Sequence, residues 1–158
     1  MKRVVKVLRW VLIVLICALV IAQLYRPAKT NPTSEASQSI ESHLQVTPQV
    51  AAILDRSCYD CHSNKTRWPW YSNVAPVSWL VIDDVNEARQ KMNLSEWGRY
   101  TNSDVEGLLK RICREVKSGG MPLPIYKPLH PSSKLSDNDV KILCDWSEGE
   151  RARIASVK

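Results

Sequence analysis

The chain has 158 residues, enough for one domain of ordinary size plus accessory segments. Its net charge of +6 invites a nucleic-acid reading, but Lys2, Arg3, Lys6, Arg9 and Arg26 stand in the first 26 residues with no acid among them, and the remainder carries 17 basic and 16 acidic side chains. No basic stripe is left to track phosphates, so no nucleic-acid partner is expected and the excess charge reads as a topology signal.

Residues 10–22 are unbroken apolar, and Val4, Val5, Val7 and Leu8 extend the run if Lys6 and Arg9 snorkel. About 20 such residues suffice for a helix to cross a bilayer. The preceding cations predict a cytoplasmic N-terminus and an exported remainder. A cleaved signal peptide is the alternative, since Val20-Ile21-Ala22 offers small or modest residues where a signal peptidase reads. Residues 1–26 are thus an anchor or signal segment of the cytoplasmic membrane, single-pass if retained. Cys17 lies in the run as one more apolar residue, because the bulky Ile16 before it does not suit a lipoprotein site.

Residues 27–46 are rich in Pro, Ser, Thr, Asn and Gln and read as a flexible tether, with His43 a solvated linker histidine. The folded domain is expected over residues 47–158. Thr47 is a candidate N-cap with Pro48 at the first helical position. Val50, Ile53 and Leu54 then share one helical face that leads into Cys58.

Cys58-Tyr59-Asp60-Cys61-His62 has the Cys-x-x-Cys-His spacing of c-type haem attachment. Two thiols three residues apart can each add across one vinyl group of the porphyrin. The histidine after the second thiol is then placed beneath the iron as its axial ligand. For this composition the pattern arises by chance only about 0.003 times per chain. A zinc half-site would need a second Cys or His pair, and the remaining ones are scattered. A thioredoxin-like redox pair would need a strand-helix-strand setting, which is missing from the pattern.

Residues 63–76 lack an apolar period and contain Pro69 and Pro76, so they read as a loop. Arg67, Trp68, Trp70 and Tyr71 in this loop are candidates to touch the haem edge or a propionate; filling a small core is the equal alternative. Ser78 is expected to cap a helix from Trp79 to about Met92. Asp83 and Asp84 on it point about 100° apart, which suits a solvated face rather than a catalytic pair. No Ser-His-acid set or phosphate loop is visible. Asn93–Trp97 reads as a turn and packing motif, and Ser103-x-x-Glu106 as the capping box of the next helix. That helix presents Val105, Leu108, Leu109, Ile112 and Val116 on one face and ends at Gly119-Gly120.

Met121, pinned by Pro122 and Pro124, is the candidate sixth iron ligand. His130, between Pro128 and Pro131, is the rival, and an open sixth site is a third possibility. Ser136-x-x-Asp139 opens a last helix bearing Val140, Leu143, Cys144 and Ser147 on one face, with Ile142 and Trp146 adjacent. It is expected to pack on the helix before the haem motif or on helix 103–117. Cys113 and Cys144 lie on or beside apolar stripes; export allows them a disulfide, and two buried thiols fit the same pattern.

Together these residues resemble a known family: bacterial haem-binding domain proteins with one Cys-x-x-Cys-His motif. The likeness covers roughly residues 46–150. It is carried by Cys58–Asn64, Pro69-Trp70-Tyr71, Pro76–Trp79, Asn93–Trp97, Met121-Pro122 and Leu129-His130-Pro131. The resemblance implies one haem c bound through Cys58 and Cys61, with His62 as axial ligand, in a small all-α, cytochrome c-like fold; it names no substrate or partner. Relatives often have Gly where Ala88 stands and an acid where Gly120 stands, changes that touch no ligand but put packing near Ala88 in question. The expected role is one-electron transfer outside the membrane with an unidentified redox partner protein. The alternative is a haem peroxidase-like enzyme or a redox or gas sensor. A backbone carbonyl, sought among the prolines after the motif, is expected to orient the His62 ring.

Overall fold

A computed structural model describes residues 1–156. Among these the chain is helical and loop, with no strand. Helix α1 (Lys2–Ala22) buries none of its residues and has a mean hydropathy of 2.7 over its most apolar window. Its 21 residues at 1.5 Å per residue reach about 32 Å, long enough to cross a bilayer. By length and composition it suits a membrane span or a signal sequence.

The remaining helices are α2 (Ile40–His43), α3 (Pro48–Ser57), α4 (Tyr59–His62), α5 (Val77–Lys91), α6 (Asn102–Lys117) and α7 (Asp137–Ser156). Short 3-10 turns occupy Ala36–Gln38, Trp70–Asn73, Leu94–Arg99 and Pro131–Ser133. The chain divides into two compact units. One comprises residues 1–30 and 67–87, the other residues 31–66 and the chain from Ala88 onward.

In the first unit the strip after α1 is fastened to the loop before α5. The Gln23 side chain brackets Ala75, donating from Nε2 to Ala75 O and accepting from Ala75 N–H, both at 3.0 Å. Trp79 Nε1 donates to Tyr25 O at 2.9 Å, and the two rings meet edge to face. Helix α5 starts at Val77, two residues before the sequence reading placed it; Ser78 is a buried helical residue rather than the cap.

The second unit holds the apolar core. One buried cluster gathers Val50, Ile53 and Leu54 of α3, Val105, Leu108, Leu109, Ile112 and Val116 of α6, and Leu143, Cys144 and Trp146 of α7, together with Leu94 and Trp97. Each fully buried Leu or Ile contributes about 1.5–3 kcal/mol relative to exposure. Helix α7 packs on both α6 and α3, and Cys113 and Cys144 form a disulfide between α6 and α7. Thr47 caps α3 by accepting from Val50 N–H, as its sequence suggests. At α7, Ser136 and Asp139 exchange backbone-to-side-chain hydrogen bonds of 2.8 and 3.2 Å.

Two expectations need correcting here. The capping box of α6 is Thr101 with Asp104, not Ser103 with Glu106. The packed domain also begins well before Thr47. Ile40 is fully buried and Leu44 is 6% exposed, both in the core, and the segment from Ala36 to His43 packs on Leu94–Arg99. Two apolar residues four apart suffice to seat one helical turn, even where the average composition is polar. Polar ties add to them: Tyr59 donates to Glu41, Trp146 Nε1 donates to Gln45 O at 3.0 Å, and Asn64 Nδ2 donates to Thr33 O at 3.2 Å. His43 is exposed, its Nε2 lying 3.1 Å from Ser37 O.

Candidate haem site

Helix α3 ends at Cys58, whose N–H donates to Leu54 O, and the chain re-enters a single helical turn, α4. Cys58 opens that turn and Cys61 and His62 close it, all three half-buried. His62 N–H donates to Cys58 O at 2.9 Å, which closes the turn and brings the backbone of the motif residues together. Neither Cys58 nor Cys61 takes part in a disulfide. Burial, followed by the charge of Cys61 and opposed by Arg56, pushes the Cys58 thiol up to about 12. It is therefore a neutral thiol at physiological pH.

The imidazole of His62 is oriented by backbone. Its Nδ1 lies 3.0 Å from Met92 O and 3.1 Å from Ala88 O, so this nitrogen carries the proton and donates to the carbonyls. Ala88 O also accepts from Met92 N–H at 2.9 Å, and Met92 O lies just past the last residue of α5, where helical carbonyls run out of following N–H donors. The Nε2 lone pair is left for a metal. Burial, helped by the Lys91 charge, outweighs the two carbonyl bonds and holds the ring's pKa below its ordinary value. A neutral ring is what coordination needs. The orienting carbonyl thus comes from the C-terminal turn of α5, not from the prolines after the motif.

His62 borders a cavity of about 260 Å³ that it shares with Cys58 and Met121. Its apolar wall is Met92, Leu108, Ile112 and Val116, and Lys91, Arg111, Arg114 and Glu115 also line it. Cys61 is not on this lining. Gly119, with φ at +71°, ends α6 in the left-handed conformation that suits glycine. Two residues later the Met121 N–H donates to Glu115 O at 3.2 Å, which holds the half-buried methionine at the cavity. His130 is elsewhere. It stacks on Tyr126 with ring centroids 3.9 Å apart, and Tyr126 donates to Asp60 at 3.0 Å. Met92, just past the end of α5, lines the cavity as well. Arg67, Trp68, Trp70 and Tyr71 are not among the lining residues; Trp70 is 75% exposed and meets Tyr71 edge to face.

A buried polar network holds the segment after His62, and its partners are far apart in the chain. Arg89 is buried; its Nε donates to Ser63 O at 2.8 Å and its guanidinium also reaches Thr66 Oγ1 at 2.8 Å and Asn31 Oδ1 at 3.0 Å. Asn64 N–H donates to Ser95 Oγ, Asn64 Nδ2 to Glu96, and Asn93 Nδ2 to Asn64 Oδ1 at 2.8 Å. Buried polar groups are costly unless partnered, so this set specifies one arrangement of the loop. The run Asn93-Leu94-Ser95-Glu96 is polar at three of four positions, the composition of a solvated turn, although Asn93 and Ser95 are buried.

The model of the haem-binding domain matches residues 17–149. The chain belongs to the haem-binding domain family. No curated protein and no solved structure matches it. The match begins upstream of the tether predicted from composition, in keeping with the buried Ile40 and Leu44. The residues of the cavity fit a haem: an apolar wall for the ring, a neutral imidazole with its outer nitrogen already engaged, a thioether, and cations at hand for propionates. Among the described residues no group of three or more His, Cys, Asp or Glu side chains is arranged to hold a bare metal ion.

Proposed function

We propose that this haem-binding domain is a monohaem c-type cytochrome that transfers single electrons outside the cytoplasmic membrane. Cys58 and Cys61 bond the porphyrin, His62 ligates the iron through Nε2, and Met121 supplies the sixth ligand. The observation that carries this reading is the shared cavity: a carbonyl-oriented His62 and a loop methionine border the same space as a motif cysteine. Haem supplies the one-electron chemistry; the chain supplies burial, ligand identity and orientation. Leu108, Ile112 and Val116 keep water from the ring, which tunes the potential. Lys91, Arg111 and Arg114 offer charge to the propionates. The N-terminal cations keep the start of α1 in the cytoplasm, so the domain faces the side where haem is attached and where its redox partner protein would meet it.

The ferric spectrum of the full chain, matured with haem and held in mild detergent, tests the assignment. A methionine-to-iron charge-transfer band that disappears in Met121→Ala is expected. A high-spin spectrum with rapid cyanide binding in the unaltered chain overturns the sixth ligand and favours a peroxidase-like enzyme or sensor. A colourless chain of bare polypeptide mass overturns covalent attachment.

A further inference from the structure

Solitary apolar side chains on a surface are ordinary. In the first unit they are gathered. Leu24 and Tyr25, directly after α1, are exposed, and so are Trp70, Val74, Val77 and Leu80. Val77 and Leu80 stand three apart on α5 and so lie on one side of it. These two stretches are not independent. Gln23, the residue that closes α1, holds Ala75 by two hydrogen bonds; Trp79 is bonded to Tyr25 O; Lys29 donates to Asn73. The loop from Trp70 to Leu80 is therefore fastened to the very end of the apolar helix.

Charge follows the same boundary. Residues 23–30 and 67–82 contain Arg26, Lys29 and Arg67 and not one acid; acids begin at Asp83, followed by Asp84 and Glu87. If α1 crosses a bilayer, Gln23 stands at the edge of the hydrocarbon, and whatever is bonded to it stands at headgroup depth. Tyr and Trp are enriched at that depth because each joins an apolar ring to a polar tip. Anionic headgroups attract cations there and disfavour acids.

We propose that Leu24, Tyr25, Trp70, Val74, Val77 and Leu80 form a surface that rests in the headgroup layer of the phospholipid bilayer crossed by α1. The first unit is then seated on lipid rather than hanging from a free tether. This rests on α1 being retained as an anchor. It is independent of the haem and its ligands.

The test uses the full chain in nanodiscs of phosphatidylcholine and phosphatidylglycerol doped with a phospholipid that carries a photoreactive group near its glycerol. After irradiation, adducts are mapped by mass spectrometry. Adducts on both α1 and the peptide spanning residues 70–80 are expected. In the double variant Trp70→Glu, Leu80→Glu they should fall several-fold on that peptide and persist on α1. Adducts confined to α1 overturn the proposal and leave the anchor standing. Protein–protein cross-links through Trp70 or Leu80 without lipid adducts overturn it in favour of a second copy of the chain. A mass showing that the mature chain starts after Ala22 removes the anchor and overturns the proposal with it.

Discussion

His62 and Met121 border one cavity, and the chain holds them by different means. Around His62, two helix-end carbonyls fix the ring, Arg89 clamps Ser63 and Thr66, and Asn93 and Ser95 clamp Asn64. Around Met121, a glycine turn leads into a loop held by Met121 N–H to Glu115 O, Lys127 Nζ to Gly119 O, Tyr126 and Lys127 N–H to Leu123 O, and Tyr126 to Asp60. Ile125 and Leu129 in that loop are largely exposed. The His62 flank is tied by buried polar bonds to several segments of the chain. The other depends on the helix from which it springs, α6, and on what staples α6 in place. A site that accepts a rigid planar group benefits from one preset wall and one that can close on it.

The staple on the Met121 flank is the Cys113–Cys144 disulfide, which closes a sequence separation of 31 residues. On the chain-entropy account a loop of that size contributes about 3–4 kcal/mol. The double variant Cys113→Ser, Cys144→Ser should lose that amount in denaturant unfolding followed in mild detergent. Amide hydrogen exchange should rise over residues 113–126 and change little over 58–66. Equal acceleration on both flanks would end the distinction between them.

Arg89→Ala attacks the opposite flank. It leaves Ser63 O, Thr66 Oγ1 and Asn31 Oδ1 without their donor in buried or half-buried settings. The expected loss is about 2–3 kcal/mol. Exchange should now rise over 62–66 and not over 119–126. Arg89→Lys should recover only part of the loss, because one ammonium cannot reproduce the spread of guanidinium donors. Full recovery by lysine would show that charge alone, rather than the fork of hydrogen bonds, holds the loop.

The same contrast explains what could be read in advance. Cys58-x-x-Cys61-His62 and the proline-flanked Met121 stand out in the sequence by local chemistry, and the fold brings Cys58, His62 and Met121 to one cavity. The faces of α3 and α6 follow from spacing, and every residue assigned to the α6 stripe is buried. What holds His62 was not legible. Its partners are backbone oxygens 26 and 30 residues away, which leave no side-chain signature. Arg89 is one of several charges on α5, and its partners at Asn31, Ser63 and Thr66 come together only in the fold. Ile40 and Leu44 were lost in a polar average, because a composition window weighs residues equally while a core takes only the two it can bury. The capping box was misplaced because Thr101-x-x-Asp104 and Ser103-x-x-Glu106 satisfy the same pattern two residues apart. Tyr100 decides between them: it packs edge to face on Trp97, and its hydroxyl accepts from Asn93 N–H, so the chain turns at Thr101.

The smallest effect sharpens the comparison from the His62 side, where α3 delivers Cys58. Arg56 near the end of α3 pairs with Asp139 in the first turn of α7 at 2.7 Å. Burial raises the Asp139 carboxyl, but the Ser136 N–H and hydroxyl and the Arg56 guanidinium outweigh it and hold its pKa below the ordinary value. A folded-state pKa that is depressed gives stability above the unfolded value, lost as pH falls through the folded one. Asp139→Asn should therefore cost about 0.5–1 kcal/mol at pH 7, the scale of a partly exposed pair joined to a helix cap. The gap from the unaltered chain should close as pH drops below about 4, where the native carboxyl takes up its proton. Unfolding midpoints of the two chains measured across that range would test this. A gap that stayed constant, or widened in acid, would mean that Asp139 acts through packing and not through its charge, and that α3 is held to α7 by the core alone.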